Sequence, residues 1–177
     1  MTQAGARLFS WSAKKTMSIA QRLYEEGLIT YHRTDSVNVS SQAISVVRDY
    51  IAKEYGKNYF PESPRFYKKA SKLAQEAHEA IRPTDVRTRA KIQIAKFERE
   101  GEMLYGLIWK RFVASQMNNC VFDETTIEVQ ALGTSQKAID KKETSAQSLM
   151  SNVYLLRASG QVMKFDGWRK VIPLSKE

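Results

Sequence analysis

The chain has 177 residues, 42% hydrophobic and 27% charged, the proportions of a folded globular protein rather than a disordered or fibrous one. Its 28 lysines and arginines exceed its 19 aspartates and glutamates, for a net charge of +9; residues 119–177 carry 8 basic and 7 acidic side chains, which leaves a surplus of +8 in residues 1–118, the part that a polyanion such as nucleic acid would meet. The lone Cys120 excludes an internal disulfide and a cysteine zinc cage, no apolar run nears the about 20 residues that span a bilayer, and MTQAGARLFSWSAKKTM lacks a secretory apolar core, so a cytoplasmic protein is expected.

The first predicted element is a helix capped by Ser12, with Ala13, Met17, Ala20 and Tyr24 stepping along one face and Gly27 as a left-handed stop. Residues 28–33 read as a short strand, rich in β-branched and aromatic side chains. Ser40 or Ser41 can cap a second helix whose Ile44, Val47, Ile51 and Tyr55 share a face before Gly56. KNYFPESP (57–64) is a proline-punctuated loop, and a shorter helix near 70–81 must end before Pro83. The strongest helical period runs over 97–117, with Leu104, Ile108, Phe112 and Ser115 on one face and Leu107 and Arg111 beside it. Beyond Asn119 the period alternates, which predicts strands over 121–132, 152–159 and 161–173, with a polar loop at 133–148. The fold class is α+β: a mainly helical domain over 1–118, then a partial β domain over 119–177 with too few strands to close a sheet.

Two clusters carry chemistry. In LITYHRTDSVNVS (28–40), Tyr31 and Arg33 would project from one face of the strand while His32 points away. A phenol, with an ordinary pKa near 10, attacks poorly unless cations stabilise the developing anion; a guanidinium grips two phosphate oxygens and keeps its proton, so the pair suits phosphoryl transfer. Thr34, Asp35 and Ser36 also fit a turn or cap. In QEAHEAIRPTD (75–85), His78 and Arg82 would lie four apart on one helical face, both able to donate to phosphate, or Glu79 would simply pair with Arg82. No Gly-rich phosphate loop, no Asp-x-Asp pair and no zinc ligand set accompanies them.

The segments KKTMSIAQRLYEEGLITYHRTDS (14–36), QEAHEAIRPTDV (75–86), LYGLIWKRFVASQM (104–117) and FDGWRKVIP (165–173) stand in the order found in the bacterial DNA topoisomerase I family, the type IA enzymes, which the chain resembles over nearly its whole length. The resemblance implies that Tyr31 cuts one DNA strand and stays joined to its 5′-phosphate, with Arg33 stabilising the scissile phosphate and His78 contacting that region. Gln21, Glu25, Thr30, Thr34 and Asp35 match family active-site positions, and Arg82, with Lys14, belongs to the expected phosphate track. The implied fold is the catabolite-activator-like, tyrosine-bearing third domain plus strands of the second. The resemblance also implies Mg²⁺, held by an acidic cluster of a Toprim domain that these residues do not match, so no cofactor is expected on this chain itself and the chain alone is expected to be inactive. The RTDS after the tyrosine favours topoisomerase I over topoisomerase III. A non-catalytic DNA-binding module of the same fold is the alternative; a tyrosine recombinase fits less well, because its tyrosine follows its arginines and histidine.

Overall fold

The structure, a computed structural model, describes residues 1–67, 78–87, 99–134 and 151–173. Among them are four α-helices, α1 (Thr2–Phe9), α2 (Ala13–Glu25), α3 (Ser41–Glu54) and α4 (Arg99–Ser115), and two strands, β1 (Val121–Thr134) and β2 (Ser151–Phe165). The fold is α+β. The chain divides into two compact units, one formed by Met1–Cys120 with Asp166–Glu177 and the other by Val121–Phe165.

In the helical unit, α4 serves two cores. Its Leu104, Tyr105 and Ile108 pack with Trp11, Ile19, Ala20, Leu23 and Ile29. One turn on, Phe112 and Val113 pack with Val47, Tyr50, Ile51, Val86, Met117 and Val171. The apolar period of the sequence anticipates this face, and Trp109 bridges both cores while its indole N–H donates to the Val86 carbonyl at 2.9 Å. Helix α3 buries Ile44, Val47 and Ile51 as expected.

Helix α2 starts as expected, its Ser12 Oγ accepting from the Lys15 amide at 3.2 Å, but it is rotated from the expected face. Its buried stripe is Thr16, Ile19, Ala20 and Leu23; Ala13 is exposed and Tyr24 stands 42% exposed. The cause is α1, which no sequence period indicated. Gly5 of α1 approaches Thr16 so closely that a Cβ there would lie 2.6 Å from the Thr16 hydroxyl, so Thr16 must face inward and Tyr24 turns out.

Three further expectations change. The strand expected over 28–33 reduces to a single bridge, Ile29 with Pro83. The Arg82 amide, which could have extended the ladder, donates instead to the Thr30 hydroxyl at 2.9 Å. The helix expected near 70–81 lies outside the described residues up to 77, and 78–82 are not helical. Their amides go to distant partners, Ala80 to the Asn38 carbonyl at 2.7 Å and Arg82 to Thr30, rather than to the preceding turn. The strands expected at 152–159 and 161–173 are one strand that runs through Gly160, which pairs with Thr125. That strand stops at Phe165 because Gly167 takes φ 49° and the Trp168 amide donates to the Asn118 carbonyl at 2.9 Å, starting a 3₁₀ turn over Gly167–Lys170. The polar segment expected at 133–148 lies outside the described residues from 135 on.

The second unit is an antiparallel ribbon. Ile127 faces Ala158 and Val129 faces Leu156 on one side, while Glu128 opposes Arg157 and Thr126 opposes Ser159 on the other. Ile127, Val129 and Leu156 are all at least half exposed, so the ribbon carries an apolar face that its own two strands leave open.

Candidate active site around Tyr31

Two stretches far apart in sequence are stitched together beside the end of α2. The Thr30 amide donates to the Arg82 carbonyl at 2.9 Å and the Thr84 amide to the Leu28 carbonyl at 3.1 Å, flanking the Ile29–Pro83 bridge. Proline fits there because its missing N–H falls where the pattern needs none. The Thr30 hydroxyl adds a bond to the Ala80 carbonyl at 2.8 Å. Thr30 is therefore a fastener between the segments.

Beyond this seam the backbone leaves the sheet, yet Tyr31, His32 and Arg33 still alternate outward, inward and outward. Tyr31 is 43% exposed. Its ring meets Tyr24 at 5.4 Å, His32 at 5.4 Å and His78 at 6.1 Å, each edge-on. The Arg33 guanidinium, exposed, donates to Gln21 Oε1 at a long 3.4 Å, and Gln21 Nε2 donates to Glu25 Oε1 at 2.8 Å. Gln21 and Glu25 thus sit one turn apart on α2 facing Arg33. His32, Arg33, Thr34, Asp35 and His78 line one open cleft of about 540 Å³, and Tyr31 stands beside it. The Thr34 hydroxyl also accepts the Ser36 amide at 3.0 Å, forming the turn that the sequence allows.

Arg82 is placed differently from expectation. With 78–82 extended rather than helical, its guanidinium donates to Glu79 Oε2 at 2.8 Å and to the Pro83 carbonyl at 3.0 Å, its side chain only 15% exposed. Glu79 in turn accepts the Ser40 amide at 2.9 Å at the start of α3. Burial works against the Glu79 charge, but the Ser40 and Arg82 hydrogen bonds outweigh it and hold the carboxyl below its ordinary pKa. Lys14 is exposed on the first turn of α2.

Two residues absent from the expected set join the cluster. Tyr24 packs on both Tyr31 and His32, the latter at 5.7 Å. His32 is 5% exposed, and neither ring nitrogen has a protein hydrogen-bond partner among the described residues. Burial, reinforced by Arg33 and opposed by Glu25, pushes its pKa down and keeps it neutral. Alternation had assigned His32 to the far face; nothing in the sequence distinguished a buried polar ring there from an ordinary core residue.

Tyr31, Arg33 and His78 thus converge beside one cleft from two segments distant in sequence, next to the end of α2. The sequence profile of the DNA topoisomerase family matches residues 1–177. The chain is 43% identical over 98% of its length to DNA topoisomerase 1 of Pasteurella multocida, and 44% identical over 98% to that of Escherichia coli K12. It spans 17% and 18% of those proteins. It also superposes on full-length topoisomerase I from Thermotoga maritima with a TM-score of 0.71, at 29% identity, over 99% of this chain and 26% of that one. The chain belongs to the bacterial type IA DNA topoisomerase family.

Proposed function

We propose that this chain carries the nucleophilic half of a type IA topoisomerase active site, acting on single-stranded segments of negatively supercoiled DNA. The Tyr31 oxygen attacks a backbone phosphorus in line, the bond to the 3′-oxygen breaks, and a 5′-phosphotyrosine and a free 3′-hydroxyl remain. The phenolic proton leaves, and the 3′-oxygen gains one. Arg33 neutralises the non-bridging oxygens as charge gathers on them, and His78 donates to the same phosphate. Because the phosphotyrosine keeps the ester's energy, the 3′-hydroxyl can return and reseal the strand without ATP, after the other strand has passed and the linking number has changed by one. What supports this reading most is the contact at 6.1 Å between Tyr31 and His78, which come from two family motifs and meet only through the fold.

The Mg²⁺ that the family resemblance implies would offset phosphate charge. The described residues do not fit it: no three His, Cys, Asp or Glu side chains among them converge. Its ligands are expected on a Toprim portion supplied from elsewhere, so the chain alone is inactive, and it works in the bacterial cytoplasm on the nucleoid. Among the described residues no helix is long and apolar enough to cross a membrane.

The test is a cleavage assay on a single-stranded oligonucleotide labelled at its 3′ end. The chain with Mg²⁺ leaves it intact; addition of the metal-binding portion in trans transfers the label to this chain, and Tyr31→Phe abolishes the transfer. Adduct formation by Tyr31→Phe would overturn the assignment.

A further inference from the structure

The reaction proposed for this site gives His32 no task, yet it is buried against Tyr31 with both ring nitrogens unpartnered among the described residues. Three rings, Tyr24, Tyr31 and His32, touch one another pairwise at 5.4 to 5.7 Å. Of the three only His32 is buried, at 5% exposure against 42% and 43% for the tyrosines. It is the fixed member, and Tyr31 is the member that must present its oxygen reproducibly. An exposed tyrosine turns about its side-chain bonds unless something blocks it, and here the block is the imidazole behind it, with Tyr24 from α2 at its edge.

A phenylalanine would serve as a plain wall without burying polar atoms. The imidazole instead buries two nitrogens without a protein partner among the described residues, a state tolerable for a neutral ring and far less so for a charged one. The groups around it do not rescue the charge. Burial disfavours it, Arg33, next in the chain, repels it, and Glu25 on α2 attracts it and is outweighed. The cleft adds the imidazole of His78 and the carboxylate of Asp35, which has interactions of its own, and Tyr24 and Tyr31 offer ring edges. A charge on His32 in this packed position is therefore disfavoured, and turning out towards water would relieve it at the expense of the wall.

We infer that His32 is the positioning residue of the nucleophile: neutral and packed, it holds the Tyr31 ring in place, and protonated it withdraws and releases that ring. The inference rests on Tyr31 being the nucleophile, but it makes a separate claim about the coupling of the two rings.

The coupling is read in this chain without cleavage. With tyrosines ¹³C-labelled and histidines ¹⁵N-labelled, the Tyr31 ring signals, identified by their loss in Tyr31→Phe, are followed as the pH falls from 8. We expect them to move with the His32 titration, to lose that step in His32→Phe and to keep it in His78→Phe. Tyr31 signals that follow only His78, or nothing, overturn the inference. In the complemented cleavage assay, His32→Ala cuts the rate about tenfold to a hundredfold at pH 8 while leaving oligonucleotide affinity unchanged. His32→Phe stays within about threefold of the parent at that pH and extends activity to more acid pH. Should His32→Ala fail to fold, the comparison of parent with His32→Phe decides: identical acid limbs overturn the inference. Label transfer to Tyr31→Phe would remove the nucleophile reading and leave the ring coupling to be judged by NMR alone.

Discussion

Thr30 and Arg82 are joined by two short bonds, the Thr30 amide donating to the Arg82 carbonyl at 2.9 Å and the Arg82 amide donating to the Thr30 hydroxyl at 2.9 Å, and by a longer one from that hydroxyl to the Arg82 carbonyl at 3.4 Å. The second bond uses a side chain where a sheet would use a carbonyl, so removing the hydroxyl leaves a half-buried amide and the Ala80 carbonyl without their partner. Thr30→Val, which keeps the shape, is expected to lower stability by about 1 to 3 kcal/mol in urea titrations. It should also reduce complemented cleavage, because the same seam brings His78 to Tyr31. A variant with unchanged stability would show that the seam is held by its backbone bonds alone.

The three cations expected to track phosphate differ in availability. Arg33 is exposed and makes a long 3.4 Å bond to Gln21, and Lys14 is exposed on α2. Arg82 is already engaged by Glu79 at 2.8 Å. Arg33→Ala and Lys14→Ala should each weaken single-strand binding and flatten its dependence on salt by roughly 0.7 of a unit in the log–log slope. Arg82→Ala should leave the slope nearly unchanged and appear as lost stability, since it strands the Glu79 carboxylate. A flattened slope for Arg82→Ala would mean that DNA displaces Glu79.

How much of this was legible in the sequence depends on the range of the forces involved. Helices α3 and α4 were readable because their apolar period is long and their burial follows it. The seam was not: Thr30 and Arg82 are ordinary members of a strand-like and a helix-like stretch, and long-range hydrogen bonds overrode both local preferences. The rotation of α2 depended on the close approach of Gly5 to Thr16, a tertiary fact with no local signature. The candidate nucleophile and its cations were marked by residue type and spacing, whereas His32 became visible only through its burial.

That close approach gives a paired test. Gly5→Ala would put a methyl 2.6 Å from the Thr16 hydroxyl and is expected to destabilise by about 1 to 3 kcal/mol as α1 and α2 are forced apart. Gly106 lies inside α4 with nothing within 4 Å of a built Cβ. Gly106→Ala should therefore stabilise by about 0.5 to 1 kcal/mol through helix propensity. Equal effects in thermal unfolding would contradict the packing of α1 on α2.

Acid should weaken the fold through two groups that this site holds in their less protonated forms. His32 has its pKa lowered by burial and by Arg33, so the unfolded chain takes up its proton first; stability is complete above about 6.5 and falls from there down to the folded pKa. Glu79, also lowered, adds a loss that begins only as the pH drops below about 4.5 and continues through its folded pKa. Urea midpoints measured from pH 8 to 3 should show both steps, and His32→Phe should remove only the upper one. An upper step that survives in His32→Phe would have to come from another group.

At the alkaline end the sign reverses. Tyr105 of α4 is 1% exposed; its burial, with the nearby Asp85 charge, pushes its pKa up to about 12. The unfolded phenol ionises near 10, so the stability it contributes is complete below about 10 and is lost as the pH rises through 12. Tyr105→Phe keeps the packing against Leu104 and Ile108 and removes the hydroxyl, with its 3.4 Å bond to the Asp85 carbonyl. Every other residue is the same in the two proteins, so the difference between them isolates this one hydroxyl. We expect the urea midpoint of the parent to fall more steeply between pH 10 and 12 than that of Tyr105→Phe, and parallel curves would mean that water reaches the phenol inside the folded core.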